Sequence, residues 1–72
     1  MRKKDLEEKL GQILESRTQS MLEARRKGDH SLELMWFGNA CGIIDSMRAA
    51  EIFTWDQARE MREQLMKKRQ DA

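Results

Sequence analysis

Residues 29–47 read Asp29-His30-Ser31-Leu32-Glu33-Leu34-Met35-Trp36-Phe37-Gly38-Asn39-Ala40-Cys41-Gly42-Ile43-Ile44-Asp45-Ser46-Met47. Wound at 3.6 residues per turn, this segment is apolar around most of its circumference. One broad face carries Leu32, Trp36, Ala40, Ile43, Ile44, Met47 and Ala50, with Phe37 at its edge. A second, separate face is built of small residues, Gly38, Gly42 and Ala49, with Asp45 and Ser46 beside it. A helix that is apolar on two sides needs neighbours on two sides. It is therefore read as the central element of an all-α fold, spanning about residues 30–52.

Upstream, Leu6, Leu10, Ile13, Leu14, Met21 and Ala24 recur every three or four positions. That spacing predicts a first long helix over about residues 4–27, with one apolar stripe. Arg25, Arg26 and Lys27 suit the negative end of its dipole, and Gly28 supplies the residue that ends it. Asp29 is then the N-cap of the central helix. Downstream, Thr54-Trp55-Asp56-Gln57 reads as a capping box, with Phe53 and Ala58 as a hydrophobic staple. It opens a shorter third helix over about residues 55–69, with Ala58, Met61 and Leu65 as its stripe and Lys67, Lys68 and Arg69 at its end. The expected architecture is two long helices plus a shorter C-terminal helix in one domain, 1–72. This is a helical hairpin or three-helix unit completed by oligomerisation.

Oligomerisation is expected because the chain has 72 residues, one cysteine and one histidine. A domain of this size buries only about 60% of its unfolded surface. Small folds make up the difference with disulfides, a metal or a partner chain. Cys41 has no second cysteine to join, and no Cys/His cluster offers a zinc site, so self-association remains. The lone thiol suits a reducing cytoplasm. Acidic residues follow the basic Met1-Arg2-Lys3-Lys4 start where an export signal has its apolar core. No apolar run approaches the roughly 18 residues of a membrane span.

Fourteen basic residues face thirteen acidic ones. That balance argues against a general polyanion binder. No Gly-rich phosphate loop, Ser/His/Asp set or His-Glu-x-x-His sequence is present. Cys41 lies eleven residues from His30, roughly 16 Å along a helix, among apolar neighbours that disfavour a thiolate. The chain is read as non-enzymatic, with no catalytic residue, metal or cofactor.

The candidate interface residues are Arg17, Trp36, Phe37, Gly38, Gly42, Asp45 and Ala49. Gly38 and Gly42 each cost a helix about 1 kcal/mol against alanine. Small residues four apart admit a second backbone at close range. Either a partner helix or a ligand uses that space, or helix 1 or 3 of the same chain does. Arg17 interrupts the seam Leu6, Leu10, Ile13, Arg17, Ser20, Ala24. It either pairs with Asp45 and fixes register, or snorkels to water. Trp36 and Phe37 adjoin the glycines, as core residues or as anchors for a partner.

The preferred function is a protein-interaction module, an adaptor, inhibitor or regulator. It would bind itself as a homodimer or higher oligomer, and in addition another protein. The rival function is anion or nucleic-acid binding. Arg25, Arg26, Lys27, Lys67, Lys68 and Arg69 would meet at one end of an up-down-up bundle and take phosphate there.

Overall fold

The computed structural model describes residues 2–72. Met1, at the head of the basic start, lies outside the described residues. Three helices follow one another: α1, Lys3–Arg26; α2, His30–Ala49; and α3, Trp55–Asp71. No strand occurs among the described residues, and none of the described helices is long and apolar enough to cross a membrane. The molecule measures 39 × 23 × 15 Å.

Both joints are made by backbone hydrogen bonds. At the end of α1, Gly28 N–H donates to Arg25 O and Asp29 N–H to Ala24 O, each at 3.0 Å. With Gly28 at φ 76°, this is a Schellman closure on the expected glycine. Asp29 then caps α2, its side chain accepting from Leu32 N–H at 3.0 Å. The second joint has the same geometry without a glycine. Glu51 N–H donates to Arg48 O, Ile52 N–H donates to Met47 O, and Glu51 sits at φ 62°. Helix α2 therefore ends at Ala49, three residues before the expected 52. The Thr54 capping box forms in full: Gln57 N–H donates to the Thr54 hydroxyl, and Thr54 N–H to Gln57 Oε1.

The core comprises Leu14, Met21 and Leu22 from α1, Ala40, Ile44 and Met47 from α2, and Ala58 and Leu65 from α3. Leu10, Trp36, Phe37, Cys41, Ile43, Ile52, Phe53 and Met61 pack around it half-buried. Helix α3 folds back along the hairpin, so α1 and α3 end at the same pole.

The buried stripe of α1 is rotated from the expected one. Ile13 is partly exposed, whereas Thr18 and Leu22 are buried. Thr18 is tolerated because its hydroxyl donates to Leu14 O at 2.8 Å and needs no water. The seam thus runs through Leu14, Thr18 and Met21, which moves Arg17 from the middle of the stripe to its edge.

Candidate interaction face and the basic pole

Helix α2 turns its buried side inward along Glu33, Ala40, Ile44 and Met47. At 100° per residue, the opposite side is Ser31, Leu34, Met35, Gly38, Gly42, Asp45, Ser46 and Ala49. All eight are exposed. A Cβ built on Gly38 or Gly42 meets nothing within 4 Å, so neither α1 nor α3 uses the glycines for close approach. The alternative of packing within the chain is therefore excluded. Leu34 is 56% exposed and Met35 47%, among the largest apolar exposures in the chain.

In a chain that is 38% charged, this side of α2 carries one charge over nineteen residues. That charge, Asp45, has Arg62 Nη1 at 3.5 Å. The Ser46 hydroxyl donates to Gly42 O at 2.9 Å. Two of its polar side chains thus already have partners. When the face loses its water the Ser46 hydroxyl keeps its bond, while the Asp45 carboxylate keeps an ion pair but no hydrogen bond.

Arg17 lies with its guanidinium 5.3 Å from the Trp36 ring centre. Within one chain it does not pair with Asp45. The aspartate stands on the α3 side of α2 beside Arg62, and Arg17 on the α1 side. Arg17 Nε is shut from water with no hydrogen-bond partner, so the side chain is held by stacking on the indole. Phe37 has Arg69 over its ring at 4.9 Å. Both aromatics pack against the core and flank the outer face of α2 without lying on it. Ala49 does lie on it, as do Gly38, Gly42 and Asp45.

The other candidate residues gather at the pole where α1 and α3 end. There the central fact is Glu33, whose side chain is only 1% exposed. Its Oε2 accepts from Arg25 Nη1 at 3.2 Å and from Arg69 Nε. The same Arg25 donates its Nε to Ala72 O at 3.2 Å. One carboxylate from the first turn of α2 thus ties together the last turns of α1 and α3. The Arg69 hydrogen bond first, and then Arg25, hold the Glu33 carboxyl below its ordinary range, against the opposing effect of burial. His30 Nδ1 is 3.7 Å from the second oxygen, Oε1, which otherwise has no partner.

This arrangement divides the six basic residues. Arg25 and Arg69 share Glu33, and Lys27 pairs with Glu23 at 2.9 Å. Arg26, Lys67 and Lys68 stand exposed, in no ion pair among the described residues. Glu33 was not singled out in the sequence, yet it had a signal. It is the only acid between the Asp29 cap and Asp45, and it falls on the same helical side as Ala40 and Ile44.

Cys41 is half-buried, and burial foremost, with the Asp45 charge second, pushes its thiol up from the ordinary value. A raised thiol is a poorer source of thiolate. Trp55 is 69% exposed at the α2–α3 corner, with the Arg48 guanidinium 3.8 Å above its ring. Among the described residues, no group of three His, Cys, Asp or Glu side chains is placed to hold a metal ion. No family model matches the chain, and comparison with curated proteins and with solved structures finds no match.

Proposed function

We propose that this chain is a small, non-enzymatic protein-interaction module that works as a homo-oligomer, with the outer side of α2 as its assembly surface. The observation that carries the reading is the pair Gly38 and Gly42. Both sit in mid-helix, at a cost of about 1 kcal/mol each, and face open space in their own chain. Leu34 and Met35 extend the same side as exposed apolar bulk. The single chain also exposes 5071 Å², above the roughly 4,650 Å² typical of a compact monomer of 8.5 kDa. Covering α2 with a second chain removes that surplus. The same reading extends to a regulator or adaptor role, exerted through contact and not through catalysis.

The test is solution mass by light scattering across a concentration series at low and high salt. A mass of at least two chains that persists in high salt supports the reading. A folded monomer at high micromolar concentration defeats it.

One observation favours the rival function of phosphate or nucleic-acid binding: α1 and α3 end at one pole, with Arg26, Lys67 and Lys68 exposed there. Glu33 weakens it by occupying Arg25 and Arg69. If the rival holds, a nucleic-acid oligomer binds with an affinity that falls steeply with salt, because each phosphate contact releases counterions. Replacing Lys67 and Lys68 by glutamine would then reduce that slope.

A further inference from the structure

We infer that α3 is a strap that opens and closes on the α1–α2 hairpin as a unit, turning about the 50–54 corner and held shut by Arg69 on Glu33. The hairpin is the larger body. Helix α1 buries Leu14, Thr18, Met21, Leu22 and Ala24, and α2 buries Glu33, Ala40, Ile44 and Met47. Of the 17 residues of α3 only Ala58 and Leu65 are buried, one of them an alanine. Its fit along α1 is loose. A gap of about 60 Å³ lies between the two helices, over Leu14, Thr18, Ile44, Met61 and Leu65, and side chains beside a gap forfeit dispersion contacts. The corner is strained in the same sense. The α1–α2 joint puts Gly28 at φ 76°, where a glycine rests freely, whereas the α2–α3 joint puts Glu51 at φ 62°. Opening lets Glu51 relax.

What closes the strap is polar and lies at the far end from the corner. Arg69 Nε donates to Glu33 Oε2, its guanidinium stands 4.9 Å from the Phe37 ring centre, and Ala72 O accepts from Arg25 Nε. Midway, Arg62 and Asp45 pair at 3.5 Å with both side chains partly in water, a contact of small weight. Breaking a buried ion pair is ordinarily costly because a bare charge stays behind. Here none does. Glu33 belongs to the hairpin and keeps Arg25 Nη1 at 3.2 Å when Arg69 leaves, and Arg69 passes to water with α3. One carboxylate shared by two arginines thus lets the strap open without stranding a charge. Freed of the hairpin, a helix of this length is marginal in water. It therefore unravels as it opens and bares Leu14, Phe37 and Ile44.

Native-state hydrogen exchange reads the opening helix by helix. Relative to their free-peptide rates, the amides of residues 61–68 should exchange at least about thirtyfold faster than those of residues 40–44, and with a weaker dependence on added urea. Arg69→Gln removes a charge-assisted bond. It should speed the α3 amides by a further tenfold or so and leave the α2 amides within about threefold of the unsubstituted chain. Equal protection of α2 and α3 would overturn the strap, since the chain would then open only as a whole. So would an Arg69→Gln variant whose α2 and α3 amides accelerate alike, or whose α3 amides keep their original rate. If Arg69→Gln does not melt cooperatively, the comparison of α2 with α3 in the unsubstituted chain decides alone.

Discussion

Replacing both Gly38 and Gly42 with alanine should raise the stability of the single chain while weakening its assembly. Each added methyl points into open space in one chain, so it brings helix propensity without a clash. The gain is about 1 kcal/mol per site, or about 2 kcal/mol for the pair. Unfolding entropy near 60 °C is about 2.1 cal/mol/K per residue, which gives roughly 0.15 kcal/mol/K for this chain. The melting midpoint of dilute, monomeric protein should therefore rise by about 13 °C. Assembly should move the other way. The two methyls stand at the point of closest backbone approach and hold the helices apart, so the dissociation constant should rise by at least about tenfold, equivalent to about 1.4 kcal/mol. Circular-dichroism melts at low micromolar concentration and light scattering over a concentration series read the two halves separately. A higher midpoint with unchanged mass at every concentration would show that the glycines do not lie in an interface. A lower midpoint in dilute protein would show that the methyls meet something in the single chain, and the account of α2 would fail at its root.

Other perturbations probe the rest of the structure. Glu51 holds a positive φ of 62° at the close of α2, a region that side chains resist, so Glu51→Gly should stabilise by about 0.5–1 kcal/mol. An unchanged or lower chemical-denaturation midpoint would mean the corner is not strained. The depressed Glu33 pKa makes its contribution to stability complete above the ordinary glutamate value of 4.5. That contribution is lost as pH falls through the lower folded value. Glu33→Gln should therefore melt below the wild type at pH 7 and lose less of its midpoint on acidification. Equal acid sensitivity of the two proteins would dismiss Glu33 as the tie between the helix ends. Arg17→Met trades stacking on Trp36 for relief of a buried, unpartnered Nε, and should change stability by no more than about 0.5 kcal/mol. It should combine additively with Asp45→Leu, and a large coupling in the double-mutant cycle would restore the pair that the single chain does not form.

The three-helix fold was legible because its punctuation is local. Gly28 and Asp29 end one helix and begin the next through bonds spanning a few residues, and Thr54 and Gln57 satisfy each other's backbone contacts within one turn. The end of α2 was less legible because Glu51 takes a glycine's conformation with no glycine to announce it. The α1 seam was misplaced by one position because Thr18 hides its hydroxyl on Leu14. Composition counts it as polar, yet its bond lets it pack as an apolar residue. The same limit applies to the site. The glycine face could be seen in the sequence, since helical spacing alone puts Gly38 and Gly42 together. That the face stays uncovered could not, because it depends on which sides of α2 the other two helices take. The Glu33 tie reaches residues 8 and 36 positions away; the α1–α2 hairpin brings Arg25 to it, and only the return of α3 brings Arg69.

The most direct test of the central claim is the mass of the unsubstituted chain in solution, measured by light scattering from low to high micromolar concentration in low and high salt. The mass should rise with concentration from 8.5 kDa toward twice that value and stay there in high salt, because the outer face of α2 is nearly uncharged. A well-folded protein that stays at the mass of one chain throughout would contradict it.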